Sequence, residues 1–153
     1  MGFNYYFVVY GIPVPQARAG RRHYLDAVGN PRSNAFDPTK SKDWKNTIGW
    51  QVRSEYSGKP HLGPVVMDAY FYLPRPKRLR KNLLVHTKKP DRDNLLKALK
   101  DALKGIIYKD DSQVFDGRTR KLYVRSGEKP RVVIGLRLLS DDGQLDFGEP
   151  WTT

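Results

Sequence analysis

The chain has 153 residues with 28 Lys and Arg against 16 Asp and Glu, a formal net charge of +12, and no cysteine. That length allows one domain with a modest core, a 39% hydrophobic fraction excludes a disordered composition, and the missing cysteines exclude both a disulfide framework and a thiolate metal site. The cationic surplus points to a polyanionic partner, nucleic acid ahead of a membrane surface.

No apolar run approaches membrane-spanning length and the N-terminus lacks a signal-peptide pattern, so a cytoplasmic protein is expected. Residues 5–10 are aromatic and β-branched and predict a strand closed by Gly11 and Pro13. From Pro15 to about Ser41 the pattern breaks up. Gly20, Arg21, Arg22, His23, Gly29, Pro31 and Arg32 predict a turn-rich basic excursion with a short strand at residues 23–25. A helix is expected from Ser41 or Lys42 to Tyr56, because Trp44, Ile48, Val52 and Tyr56 recur at i+4. Residues 64–73 are the clearest strand, with Val65, Met67, Ala69, Phe71 and Leu73 on one face and Asp68 on the other, at a solvated edge position. Residues 74–81 form a basic loop, either a solubilising stretch or a phosphate-contacting arm.

Further on, Ile106, Ile107 and Tyr108 read as a short apolar strand or turn feeding Asp110 and Asp111, and residues 114–125 and 131–139 read as a hairpin. Residues 140–153 hold Asp141, Asp142, Asp146 and Glu149 with no Lys or Arg, and read as a flexible acidic tail. Residues 1–139, the expected domain, therefore carry 28 basic against 12 acidic groups, or +16. The fold class expected is α+β: a single domain with a mixed sheet of about four to five strands and two main helices.

The second helix carries the chemistry. Pro90 biases Lys89 toward extended backbone, so the chain reaches Asp91 from a strand end or loop. If it stays extended, Asp91 and Asp93 share a side, and Asp93 or Asn94 suits the N-cap. At about 100° per residue, Leu95, Leu96, Leu99, Ala102 and Leu103 fall opposite Asp93, whereas Lys97, Lys100, Asp101 and Lys104 fall on its side. The helix then packs by its leucines, leaves Lys97 beside Asp93 at i+4, pairs Asp101 with Lys97 or Lys104, and stops at Gly105.

Asp91, Asp93 and Asp111 would supply hard carboxylate oxygens of the kind Mg²⁺ takes, with its other positions left for water and substrate phosphate. Bound Mg²⁺ polarises a phosphodiester, and Lys97 would add charge beside the developing pentacovalent phosphate. The bland alternative is that Asp93 caps the helix, Asp91 is solvated, and Asp110 and Asp111 cap another turn. The residues by themselves leave both open. Asp110 is the next candidate, behind the ligands or at a second metal. His23, His61 and His86 make no ligand spacing, and His86 is expected in solvent on a loop. Trp44, Trp50 and the tyrosines could stack bases, with core packing expected for those on a regular repeat.

The runs PDRDNLLKALKDAL and GIIYKDDSQV, with His86 and Thr87 ahead of them, resemble the RusA family of Holliday-junction endonucleases. The matching positions are Pro90, Asp91, Asp93, Asn94, Leu95, Lys97, Asp101, Ala102, Asp110, Asp111, Gln113 and Val114, and weaker likeness spans residues 5–139. The resemblance implies that Asp91, Asp93 and Asp111 are metal-binding catalytic carboxylates and Lys97 the catalytic lysine. It also implies Mg²⁺-dependent, paired cleavage of four-way DNA junctions by a homodimer in recombination and repair. Two other classes compete: a non-catalytic basic nucleic-acid-binding module with its Asp pairs as caps, and a different phosphotransfer enzyme built on Asp-x-Asp. The latter is weakened because residues 83–89 are too polar for the long buried strand such enzymes place before the motif.

Overall fold

Alternating runs of strand and helix periodicity set the architecture. A computed structural model describes residues 3–18, 20–36 and 38–140. Its elements are β1 (Tyr5–Tyr10), β2 (Gly20–Leu25), β3 (Pro31–Phe36), α1 (Thr39–Glu55), β4 (Val65–Leu73), α2 (Arg92–Leu103), a 3₁₀ turn (Asp111–Gln113), β5 (Val114–Asp116), β6 (Thr119–Tyr123) and β7 (Arg131–Leu138). This is the single α+β domain expected, with a five-stranded mixed sheet and a separate two-stranded one. Among the described residues no helix is long and apolar enough to cross a membrane. The acidic residues expected in a tail, Asp141 onward, lie outside the described residues.

β4 is the spine. Its odd-numbered residues are buried along its whole length, and both of its edges are used. β7 runs antiparallel along one edge, from Val65↔Leu138 to Tyr72↔Arg131. β5 and β6 run parallel along the other. The expected hairpin of residues 114–125 with 131–139 is therefore wrong: β6 and β7 lie on opposite sides of β4, and β7 pairs onward with β1. Asp68 is not on an edge either. It sits on this central strand, where its Oδ1 accepts the Arg118 backbone N–H at 2.9 Å.

Gly117 is why residues 114–125 form two strands. Its φ is +141°, and a Cβ there would lie 1.8 Å from the Met67 carbonyl oxygen. Gly105, at φ +81° just beyond α2, faces open space. Gly117→Ala is expected to destabilise the domain by about 3 kcal/mol or more, and Gly105→Ala by only about 1 kcal/mol for the left-handed backbone. Urea unfolding of the two variants measures the contrast; equal losses would mean that the Met67 contact is unimportant.

Both helices cover one face of the sheet. Trp44, Ile48 and Val52 of α1 and Leu95, Leu99 and Leu103 of α2 pack with Phe7, Val9, Met67, Phe71, Ile134 and Leu136. Trp50 is off the α1 repeat and stays 82% exposed. The other face is half-covered, with Arg131 over the Tyr72 ring at 4.1 Å and Arg120 over Tyr70 at 5.2 Å.

Local chemistry moved several boundaries. α1 begins at Thr39, earlier than its apolar repeat shows, with Pro38 at the N-cap and no side-chain cap. Residues 20–36 hold a second strand where one short strand was expected, since Gly20↔Phe36 to Leu25↔Pro31 pair in register. The basic loop after β4 is tied down by its own Arg75, which donates to the carbonyls of Val124, Arg80 and Leu83. Residues 105–107 form a turn, and Tyr108 makes isolated bridges to His61 and Lys104.

Candidate active site

The approach to α2 is clamped by backbone contacts. The Lys89–Pro90 peptide is cis. Lys121, on β6, donates its Nζ to the carbonyls of Lys88 and Pro90, and the His86 N–H donates to the Lys121 carbonyl. Asp91 follows in extended backbone (φ −68°, ψ 141°) and is itself the N-cap, with no side-chain capping hydrogen bond. The expectation of Asp93 or Asn94 at the cap is corrected accordingly. Asp93 lies inside the first turn, where an acid suits the positive end of the helix dipole. Its side chain is 89% exposed, with Arg92 Nε at 3.7 Å. Lys97 is exposed one turn on.

Asp101 pairs with neither Lys97 nor Lys104. It meets Lys45 of α1 at 2.9 Å, fastening the two helices together. An exposed pair of this kind contributes at most about 1 kcal/mol.

The acidic pair beyond α2 divides its labour. Asp110 caps the 3₁₀ turn through its Oδ1 and the Ser112 N–H, while the Gln113 side chain reaches back to the Asp110 N–H at 2.8 Å. The Gln113 Nε2 also donates to the carbonyls of His61 and Gly63, which anchors the turn to the loop before β4. The Ser112 N–H first, then the neighbouring Asp111 and Lys104, hold the Asp110 carboxyl below the usual range. Asp111 is within the turn rather than at its cap. Beneath the pair, Tyr108 is fully buried and its hydroxyl donates a hydrogen bond to the Lys100 carbonyl at 2.5 Å. Burial pushes that hydroxyl's pKa far up, with Asp111, Asp101 and Asp110 adding to the shift.

These carboxylates occupy opposite ends of α2. Asp93 is in its first turn, whereas Lys104, just past the last, reaches to within 4.0 Å of Asp110. About 16 Å of helix rise separates Asp93 from Lys104. Among the described residues, no three His, Asp or Glu side chains stand close enough together to hold a metal ion. One chain therefore brings Asp91, Asp93 and Lys97 to one end of α2 and leaves Asp111 near the other.

A cleft of about 580 Å³ opens beside Asp91, walled by Ile12, Pro13, Val14, Pro15, Leu73 and Pro74, with Gln16, His86, Lys89 and Asn94 as polar contributors. His86 is not the solvated loop histidine expected. It is 9% exposed, with an Nδ1 that is buried and without a hydrogen-bond partner, and its ring meets Tyr123 at 4.4 Å. Burial, then Lys121, holds its pKa below the ordinary histidine value, so it is neutral at pH 7. Neither Lys121 nor the burial of His86 had a sequence signal, because both depend on β6 lying beside the 85–90 segment.

A basic domain with two exposed carboxylates at a helix start is an arrangement suited to phosphodiester chemistry. A family model described as "Endodeoxyribonuclease RusA" matches residues 11–137, and the chain belongs to that family of Holliday-junction resolvases: it is a nuclease, a hydrolase of DNA. It is also 38% identical over 144 residues to "Uncharacterized protein YqaN" of Bacillus subtilis (strain 168), covering 88% of this chain and 96% of that protein.

Proposed function

We propose that this protein is a Mg²⁺-dependent endonuclease that resolves four-way DNA junctions by paired cuts in recombination and repair, acting as a homodimer. The observation that carries the reading is Asp91. It occupies the N-cap of α2 yet makes no capping hydrogen bond, and Asp93 beside it is exposed. Carboxylates on so basic a chain that serve neither cap nor core are available for a ligand. The cap alternative describes Asp110 well and Asp91 poorly.

Mg²⁺ is held through one or two carboxylates plus substrate phosphates, so Asp91 and Asp93 fit it by donor type. When bound it would polarise the scissile phosphate and lower the pKa of a water. Lys97, on the same exposed side of α2, would supply positive charge to the phosphate as it becomes pentacovalent. Lys121 fixes the backbone on either side of Lys89, and so the direction in which Asp91 points. Asp111 joins this set only if a second copy presents it, since α2 holds it away in its own chain. A two-fold dimer supplies two such sites, one for each of the opposing strands.

Cleavage of a four-way junction is expected only with Mg²⁺, and binding is expected to favour the junction over linear duplex of the same sequence. Each neutralised phosphate should steepen the log–log salt dependence by about 0.9. Filter binding across a salt series, with gel assays of cleavage, checks both. Equal affinity for linear duplex would remove the junction selectivity, and cleavage in chelator would remove the metal.

A further inference from the structure

Residues 74–90, between β4 and α2, hold seven Lys and Arg and no Asp or Glu. A run of like charges repels itself, yet this one has a built frame. Two turns close it, from the Leu79 N–H to the Pro76 carbonyl and from the Leu83 N–H to the Arg80 carbonyl, both at 3.1 Å. Residues 84–86 then lie along the edge of β6 away from β4. There the Tyr123 N–H donates to the Leu84 carbonyl at 2.7 Å, and Val85 bridges Leu122. Arg75 fastens the start of the run and Lys121 its end, each through backbone carbonyls.

That frame sorts the cations. Arg75 is committed to the fold: its Nε, Nη1 and Nη2 donate to the carbonyls of Val124, Arg80 and Leu83 at 2.7, 2.9 and 2.6 Å. Lys77, Arg78 and Lys81 are exposed, and among the described residues none of the three is in an ion pair. A groove of about 490 Å³ is lined by Lys77 and Lys81 from this run and by Arg125 from the loop between β6 and β7. The acid in the groove, Glu128, is drawn back to its own turn. Its Oε2 accepts the Arg125 N–H at 3.3 Å and lies 3.5 Å from Arg131 Nη1. Cations held along one groove repel one another, and a bound polyanion relieves that repulsion. The groove meets the cleft beside Asp91 at Pro74, which lines both.

From this continuity we infer that the groove is a phosphate track: a DNA strand cut beside Asp91 continues over Pro74 into the groove, where Lys77, Lys81 and Arg125 neutralise its backbone. The inference rests on the junction-cleavage reading above and adds to it the path of the cut strand. Contacts to phosphate fix register and carry no base sequence, so the track positions the strand over the carboxylates without selecting a sequence. The anchors make that position exact in register. Arg75 joins the run to the β6–β7 loop through Val124, and Lys121 holds the carbonyl of Pro90, the residue before Asp91. A phosphate seated in the groove therefore lies at a fixed offset from the scissile one.

The test uses four-way junctions carrying one uncharged methylphosphonate linkage, moved phosphate by phosphate along the strand that the wild-type protein cuts. Binding is measured without Mg²⁺. Linkages in the track, a few phosphates from the cut, should each weaken wild-type binding by about fivefold. The triple variant Lys77→Gln, Lys81→Gln, Arg125→Gln should bind those junctions and the unmodified one alike, within about twofold, and its log–log salt slope should be shallower by about 2 to 3. Its melting temperature should be unchanged, as all three residues are exposed. Should it melt early, the single variants decide, each losing sensitivity at one linkage and keeping it at the others. The variant Lys40→Gln, Lys42→Gln, Arg53→Gln, exposed on α1, removes the same charge and should stay sensitive. A groove variant as sensitive as the wild type, or an α1 variant as insensitive as the groove variant, overturns the track. So does a wild type that prefers junctions yet is indifferent to every linkage, with the junction reading left standing. A wild type that neither prefers nor cuts junctions removes that reading and the track with it.

Discussion

Asp93→Asn is expected to lower junction cleavage by at least about 100-fold, the scale of loss seen even for groups that only support a metal's ligands. Asn preserves the size of the side chain, and the Asp93 carboxylate is 89% exposed with Arg92 3.7 Å away. The fold therefore has little to lose, and the melting temperature should stay within a degree or two. Junction affinity without Mg²⁺ should hold or rise, because one negative charge facing the phosphates has gone. Asp110→Asn is the matched control. Asn caps nearly as well as Asp, so a residue whose work is the Ser112 cap should tolerate the change with cleavage retained. If Asp93→Asn cleaves at the wild-type rate, the metal assignment is wrong.

The second large effect is complementation between two inactive chains. Asp93→Asn and Asp111→Asn should each be inactive alone, yet a mixed dimer of the two should regain cleavage of one strand. The reason is geometric: about 16 Å of helix separates the two ends of α2, and Lys104 meets Asp110 at the far one. If each site takes Asp91 and Asp93 from one copy and Asp111 from its partner, the mixed dimer gathers both substitutions in one site and leaves the other intact. If each site is built within one chain, both sites of the mixed dimer are damaged and mixing restores nothing. Co-refolding the two variants and scoring nicked against fully resolved junctions separates the cases.

The helices and the central strand were legible in the residues because their signals are local. The i+4 repeat of Trp44, Ile48 and Val52 and the leucine stripe of α2 are both buried where the periodicity puts them, and the alternation in β4 faces as expected. Strand partners were not legible. Nothing within residues 114–139 shows that β4 will separate β6 from β7, since that depends on β4 having two edges to satisfy. β2 and β3 were half-hidden because residues 21–25 and 31–34 are exposed on both faces and impose no alternation. At the site, the residue types were visible and their disposition was not. Asp110 and Asp111 look alike in sequence, and only the Gln113 side chain folding back on Asp110 distinguishes the cap from its neighbour. His86 reads as a loop histidine until β6 closes over it.

The sheet order carries a consequence for synthesis. Among the described residues β1 precedes every other strand in chain order, and its ladder runs wholly to β7, which follows them all. β7 in turn fills the gap between β1 and β4. A nascent chain that has emerged as far as α2 thus possesses Asp91, Asp93 and Lys97 without the strand that joins its halves. Such long-range pairing is slow and comes late, so the sheet is expected to close only once β7 has left the ribosome. A truncated product ending before Arg131 would be a cationic fragment, able to cling to nucleic acid and unable to hold its carboxylates in place to cut it.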